Sequence, residues 1–119
     1  MKNLIKFMRF DWESFTEGKE YTVVGCTKWT DFMTHEELGT KVEAAITKDE
    51  TNYCFKDGVG VTNLLEKITF KVRKKVNIPA NSKVMPVSPT VSAYGRDRNG
   101  NLTSYLNNLS IVCDDIKTL

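Results

Sequence analysis

Histidine and cysteine are scarce in this chain, and none of them stands in a pattern that carries chemistry. His35 is the single histidine among 119 residues. The cysteines Cys26, Cys54 and Cys113 are widely spaced and form no C-x-x-C pair. Because zinc sites need several such ligands at close spacings, we expect no metal and no cofactor. We interpret the cysteines as buried or half-buried thiols on strands, which suits the reducing cytosol.

Long apolar runs and catalytic motifs are missing as well. No stretch approaches the roughly 18 consecutive apolar residues of a membrane-spanning helix. Lys6, Arg9 and Asp11 interrupt the segment where a signal peptide would be apolar. There is no G-x-S-x-G elbow and no glycine-rich phosphate loop, so no nucleophile with an adjacent base is indicated. We therefore expect a cytoplasmic protein that makes no membrane contact and is not an enzyme.

What the chain does have is an uneven distribution of charge. Residues 1–59 carry eight basic and eleven acidic side chains, a net charge of −3, whereas residues 60–119 carry nine and four, a net charge of +5. Between Lys67 and Arg98 there are eight basic residues and one acid. Such a block in a chain whose net charge is only +2 indicates a directed anionic partner.

Short alternating segments separated by glycine and proline predict one all-β domain over residues 1–119. The predicted strands are residues 20–30, 39–48, 52–56, 64–73, 83–94 and 102–113. Gly25 indicates a bulge or bend in the first strand, and Pro86 and Pro89 mark 83–94 as an edge or bent strand. The pair Asn99-Gly100 predicts a hairpin turn.

Side-chain alternation assigns faces to these strands. It places Tyr21, Val23 and Trp29 on one face of the first strand. In the strand 64–73 it directs four apolar residues to the core and four polar residues to solvent: Leu64, Ile68, Phe70 and Val72, and Lys67, Thr69, Lys71 and Arg73. Residues 2–15 fit both the helical and the extended period, and we interpret them as an N-terminal strand or arm packing on the core.

Five to seven strands joined mostly by hairpins favour closure into a barrel, since closure removes the exposed edges of a sheet. The OB-fold, a five-stranded Greek-key barrel, is the small barrel of this kind that binds oligonucleotides. We therefore predict an OB-fold with an extra N-terminal strand or arm.

Cationic and aromatic side chains are interleaved along the chain, as the binding of single-stranded nucleic acid requires. Cations neutralise phosphates, and flat rings stack on unpaired bases. The candidate phosphate partners are Lys28, Lys67, Lys71, Arg73, Arg96 and Arg98. The candidate stacking platforms are Trp29, Tyr53, Phe55, Tyr94 and Tyr105. If the hairpin closes at Asn99-Gly100, its two tyrosines come close to facing each other and form a clamp for a base.

Each of these patterns also has a structural alternative. Trp29 and Phe55 fit a hydrophobic core equally well, since aromatic residues dominate cores. The basic row at residues 67–73 fits a solvated strand face, and the two hairpin tyrosines fit a cross-strand pair. The hypothesis of a binding protein depends on charge, aromatic residues and strand number occurring together.

In the order of its segments the chain resembles the small single-stranded DNA-binding proteins of lactococcal siphophages. The segments are the strands 21–30 and 41–48, the basic strand 67–75 and the hairpin 94–105 with its arginine-bearing loop. The resemblance implies an OB-fold and sequence-independent binding of single-stranded DNA during phage replication and recombination. It also implies a homo-oligomer, a dimer or tetramer, that works beside a recombinase or single-strand annealing protein.

The chain departs from related bacterial proteins at its end. Where many of them close a flexible acidic tail with an aromatic residue, this chain has Asp114 and Asp115 and no terminal phenylalanine. Recruitment of partners through such a tail is therefore not expected. Two other functions remain open: an RNA-binding OB module that uses the same side chains, and a structural or adaptor β-domain, whose signature would be an exposed apolar patch.

Overall fold

A computed structural model describes residues 1–53 and 62–119, except for the side chains of residues 5 and 6. Cys54, Phe55 and most of the predicted strand 52–56 lie outside the described residues. The chain begins with a 3₁₀ turn (Leu4–Phe7) and a short helix, α1 (Trp12–Thr16). The prediction of an N-terminal strand is therefore wrong, and the helical spacing of the apolar residues in this segment correctly indicates helical structure. Packing on the core is confirmed, because Trp12 and Phe15 lie against it.

The described residues contain seven strands: β1 (Lys19–Thr30), β2 (Glu37–Asp49), β3 (Lys67–Val72), β4 (Lys83–Val87), β5 (Thr90–Arg96), β6 (Leu102–Cys113) and β7 (Asp115–Thr118). They form one mixed sheet in the order β5-β6-β3-β2-β1-β4-β7, in which β3 and β6 are parallel. The chain is thus a small, mostly β domain, as the alternating pattern predicts. In the described part of the chain, no helix has the length and apolar character needed to cross a membrane.

Two pairs of these strands are halves of longer, bent strands. Ser88 and Pro89 alone separate β4 from β5, and Asp114 alone separates β6 from β7. The two bends lie side by side, because the Asp114 N–H donates to the Val87 carbonyl at 3.2 Å. Proline fixes its own φ and removes a ladder donor, so the bend that Pro89 predicts is confirmed.

Because of the bends, the two halves of each bent strand have different neighbours in the sheet. β4 pairs with β1, whereas β6 pairs with β3. The bent strand β4–β5 pairs with the bent strand β6–β7 on both sides of the bend. The pairings therefore run from β1 through β2, β3, β6–β7 and β4–β5 and return to β1.

The core lies on the inner face of these strands. Its buried apolar residues are Tyr21, Val23, Val42, Ala44, Ile46, Ile68, Phe70, Val72, Val84, Ile111, Cys113 and Ile116. The rings of Tyr21 and Phe70 meet edge to face at 5.3 Å, and Trp12 stacks on Tyr21 at 5.8 Å. Leu64, predicted to face the core, is instead 45% exposed because it lies in a turn before β3.

The bulge that Gly25 predicts is present in β1. Val23 pairs with Ala44 and Gly25 pairs with Glu43, so Val24 is an extra residue without a partner. One extra residue exchanges the two faces of a strand beyond it. Trp29, which strict alternation places on the core face, therefore lies on the outer face of the sheet.

Candidate nucleic-acid interface

An open groove of about 980 Å³ runs over the outer face of β2 and β3 and along residues 105–111 of β6. Lysines from both strands line it: Lys41, Lys67 and Lys71. Tyr94 of β5 and Tyr105 of β6 also line it, as do Phe10 and Phe15 of the N-terminal segment. Two acids, Glu43 and Glu66, share the groove with the lysines. The sheet thus presents cations and aromatic rings in one open depression.

Two of the lysines stand directly opposite each other. Lys41 of β2 pairs in register with Lys71 of β3. Neither ammonium lies in an ion pair with a carboxylate of the described residues. Like charges directly opposite each other destabilise a sheet. The fold therefore carries a small local repulsion that a bound anion would relieve.

An indole ring lies beside this lysine pair. The Lys71 Nζ is 5.9 Å from the ring centroid of Trp29, within the range of a cation–π contact. Trp29 is half-buried and is not part of the core. The residue opposite it, Gly39, carries no side chain, and a Cβ there would collide with the Val72 carbonyl. The β1 bulge and this glycine together leave the ring at the surface beside Lys71.

The hairpin between β5 and β6 closes in the predicted segment, but the Gly100 N–H donates to the Asp97 carbonyl at 3.1 Å, so Arg98 and Asn99 are the central residues of the turn. Asp97 Oδ1 accepts the N–H groups of Asn99 and Asn101, both at 2.9 Å, and fixes the turn. Arg96 reaches back from the tip, with its Cζ 5.6 Å from the ring centroid of Tyr94. Its Nη1 donates to the Gly100 carbonyl at 2.7 Å. The guanidinium therefore links the turn to a ring that lines the groove.

Tyr94 and Tyr105 do not face each other, so that prediction is wrong. Tyr94 pairs with Asn108, and the next residue, Gly95, pairs with Thr103. Residues 104–107 therefore form a wide bulge in β6, which we call the β6 bulge. Tyr105 stands on it with 77% of its surface exposed. The two rings share the groove, but from positions that no simple hairpin register predicts.

Three predicted phosphate partners lie outside the groove lining. Lys28 is exposed and lies on the opposite face of β1 from Trp29. Arg73 follows β3 and lies 3.6 Å from the Asp114 carboxylate, with both side chains exposed. Arg98 is exposed at the tip of the hairpin. Phe55 lies outside the described residues. The structure thus brings Lys67, Lys71, Tyr94 and Tyr105 into the groove, with Trp29 and Arg96 in contact with two of them.

Tyr53 belongs to a different environment, a polar cluster beneath α1. Its hydroxyl donates to Asp49 Oδ2 at 2.7 Å and accepts from Asn63 Nδ2 at 2.8 Å. Lys19 Nζ lies 3.3 Å from Asp49 Oδ1, and both side chains are completely buried. Burial alone would raise the pKa of Asp49, but hydrogen bonds from Tyr53, Asn63, Thr51 and Lys19 hold it well below its usual range. Tyr53 is thus held inside the protein by polar contacts.

Sequence reasoning missed two kinds of residue. Lys41 is the cross-strand neighbour of Lys71, and its outward position on a predicted strand was the available signal. The loop between β1 and β2 presents Phe32 and Met33, which are 90% and 81% exposed. Asp31 Oδ1 holds this loop by accepting the N–H groups of Met33 and Thr34. An exposed ring three residues beyond Trp29 is an additional candidate platform.

Cys26 and Cys113 are free thiols, one half-buried and one buried, as expected for strand residues. Burial raises the pKa of the Cys113 thiol to about 11, which makes it a poor nucleophile. Among the described residues, no group of three or more His, Cys, Asp or Glu side chains could hold a metal ion.

Comparison of the chain with models of protein families, with curated proteins and with solved structures gave no match.

Proposed function

We propose that this protein binds single-stranded DNA, without sequence preference, in the groove over β2 and β3. The observation that carries the proposal is the unneutralised pair Lys41 and Lys71, directly opposite each other and beside Trp29. A phosphate between the two ammonium groups replaces a repulsion with two attractions. The neighbouring ring offers a face to the attached base.

We further propose that the strands form a barrel of the OB type. With each bent strand counted once, the ring of pairings has five members. The first pairs with the second and fourth, and the third runs parallel to the fifth. Barrels of this type bind oligonucleotides on the face of their second and third strands and in the adjacent loops. In such a barrel the groove would lie on this face, and Tyr94 and Tyr105, from the two strands of the hairpin between the fourth and fifth strands, line it.

Single strands fit this surface better than duplexes. In a duplex the bases stack on one another, so they have no free face for a protein ring, whereas an unpaired base can use any ring. The rings of Trp29, Tyr94 and Tyr105 come from three different strands and are not in contact with one another. They are therefore suited to successive unpaired bases.

Glu43 and Glu66 restrict the path of the strand. Each carboxylate repels a phosphate, so we expect the DNA backbone to follow the side of Lys41 and Lys71. The wider role implied by the resemblance is to coat and protect single-stranded DNA during phage replication and recombination, as an oligomer and beside a recombinase or annealing protein.

The test is a titration of a fluorescently labelled oligo-dT with the protein at several salt concentrations. Each phosphate contact contributes about −0.7 to the slope of log affinity against log salt. The double variant Lys41→Gln/Lys71→Gln should therefore flatten the slope by about 1.4. The control Lys48→Gln/Lys117→Gln removes the same charge outside the groove and should leave the slope unchanged.

Three results would reject the proposal: binding that ignores salt, preference for duplex DNA, or equal losses in the groove and control variants. Competition by a matched RNA oligomer tests the related alternative. Stronger competition by RNA than by DNA would make the protein an RNA-binding module. Failure to bind any nucleic acid would favour a structural or adaptor domain, for which the exposed Phe32 and Met33 would be the first surface to examine.

A further inference from the structure

The β6 bulge carries the most exposed ring of the groove, Tyr105. Such a ring binds a base well only if its backbone is already ordered, because ordering a mobile segment on binding opposes association. Residues 104–107 have no Cα partners in β5, so the usual ladder does not hold them. Something other than the strand pairing must fix the bulge.

The side chain of Asn107 ties the β6 bulge to Arg96 of β5, which also stands opposite Leu102 in the strand register. The Arg96 N–H donates to Asn107 Oδ1 at 3.0 Å, and Asn107 Nδ2 donates to the Arg96 carbonyl at 2.9 Å. These two bonds satisfy both backbone groups of Arg96, as the backbone of a paired antiparallel strand would. Asn108 Nδ2 donates to Asn107 Oδ1 at 2.7 Å and fixes the orientation of the amide.

Gly95 forms the surface on which the β6 bulge rests. It is buried, and a Cβ at this position would collide with the carbonyl of Tyr105 and lie 2.7 Å from Thr103 Oγ1. Thr103 Oγ1 in turn donates to the Tyr105 carbonyl at 3.3 Å. The absence of a side chain at Gly95 therefore allows the backbone of Tyr105 to approach β5 closely.

We propose that Asn107 is a positioning residue for base binding, holding the β6 bulge so that Tyr105 is a preformed stacking platform over the groove. The ligand at this point is an unpaired base between the Tyr105 ring and the Tyr94 side of the groove. This inference rests on the proposed function. Asn107 itself lines the groove, but its amide is engaged by Arg96 and Asn108. Its removal should therefore weaken binding through Tyr105 and leave the distant core intact.

The reporter for this experiment is Tyr105→Trp in a Trp29→Phe background. The remaining Trp12 is packed on Tyr21 in the core and serves as a constant signal. Saturating oligo-dT at low salt should quench the new indole. Adding Asn107→Ala should remove more than half of that quench and weaken binding about five- to tenfold, the lower part of the range for one stacked base.

Two measurements separate positioning from general damage. Amide hydrogen exchange of Arg96 should accelerate in Asn107→Ala, while the midpoint of thermal unfolding stays unchanged. Asn107→Asp keeps the acceptor and loses the donor, so it should give an intermediate quench and serves if the alanine variant unfolds. Asn101→Ala is the matched control, since the Asn101 side chain makes no hydrogen bond among the described residues, and it should behave as the parent protein.

The outcomes distinguish this inference from the proposed function. If anisotropy shows oligo-dT binding but the indole at position 105 is not quenched, the positioning role is overturned and DNA binding stands. If Asn107→Ala and Asn107→Asp leave quench, affinity and Arg96 exchange unchanged, the role of Asn107 is overturned alone. If neither the wild-type nor the reporter protein binds oligo-dT, both proposals fail.

Discussion

A lysine lies beside aromatic rings in two regions of the protein, and the two regions differ in what else the lysine contacts. In the cluster beneath α1, the Lys19 Nζ lies 4.2 Å from the ring centroid of Phe15 and 5.3 Å from that of Tyr53. In the groove, the Lys71 Nζ lies 5.9 Å from the ring centroid of Trp29. The first ammonium is completely buried against a carboxylate, whereas the second has no anionic partner among the described residues. A cation beside a ring thus indicates binding only where the cation lacks a partner of its own.

The described polar groups of the cluster are bonded to one another. Lys19 Nζ donates to the Phe15 carbonyl and to Thr51 Oγ1, both at 2.7 Å. Asp49 accepts the N–H groups of Asn63 and Thr51 at 2.8 and 3.2 Å. These bonds join the end of α1, the pair β1–β2 and the segments on either side of the undescribed residues. The cluster therefore has a structural role, and two of its residues, Phe15 and Asn63, also line the groove.

The largest expected effect comes from Asp49→Asn, which breaks the buried Lys19–Asp49 ion pair of this cluster. The substitution leaves the Lys19 ammonium buried without a counter-charge, so it should lower the free energy of unfolding by about 3–5 kcal/mol. Urea unfolding measures the loss. The control Lys48→Gln breaks the exposed pair with Glu50 and should cost at most about 1 kcal/mol. Equal losses in the two variants would show that burial adds nothing to the Lys19–Asp49 pair.

Acid should weaken the same pair by titration. Because hydrogen bonds hold the folded-state pKa of Asp49 below its usual range, its stabilisation is fully present above the unfolded-state pKa of about 3.9. It is lost as the pH falls from there toward the folded-state pKa. Wild type should therefore lose roughly 2 kcal/mol more than Asp49→Asn between pH 6 and pH 2. Parallel pH profiles of the two proteins, measured by urea unfolding, would contradict this assignment.

Local alternation was sufficient for much of the fold. It located β1, β2 and β3, because each buries alternate residues against the core over part of its length, and Gly25 marked the bulge in β1. It also located β6, although only Ile111 and Cys113 of that strand are buried. It could not place Trp29, because the sequence does not show that Val24 is the extra residue after which the two faces of the strand exchange. β7 was missed because Asp114 interrupts the apolar pattern of the strand before it.

The candidate site was harder to predict than the fold, because non-local contacts decide it. Tyr53 and Tyr94 are each followed by a basic residue within three positions, yet the first is bound by Asp49 and Asn63 while the second lines the groove. The mutual position of Tyr94 and Tyr105 depends on a bulge stabilised by a side-chain amide. No periodicity in the sequence encodes such a contact.

Substitution of an aromatic residue should have opposite effects in the groove and in the cluster. Trp29→Ala should weaken oligo-dT binding by about 1–3 kcal/mol, the range for one stacked base, and change stability less than it changes binding. Tyr53→Phe should do the reverse: it removes hydrogen bonds to Asp49 and Asn63, costs about 1 kcal/mol of unfolding free energy and leaves affinity unchanged. Fluorescence anisotropy and urea unfolding of both variants test this exchange. A loss of affinity in Tyr53→Phe that matches the loss in Trp29→Ala would remove the distinction between the two regions.

The smallest expected effect is a gain in stability, from Lys41→Thr in the groove. Removing one ammonium of the opposed pair relieves repulsion across β2–β3, so the free energy of unfolding should rise by about 0.3 kcal/mol at low salt. The gain should shrink as salt screens the charges, since the Debye length falls from about 10 Å at 0.1 M to about 3 Å at 1 M. Lys28→Thr, opposite Thr40 on the other face of β1, should bring no such gain. If Lys41→Thr both stabilises the protein and weakens oligo-dT binding, the lysine pair serves to bind an anionic ligand at a cost in stability. If it destabilises the protein with no loss of affinity, the lysine pair has a structural role, and the main observation in favour of DNA binding in the groove is removed.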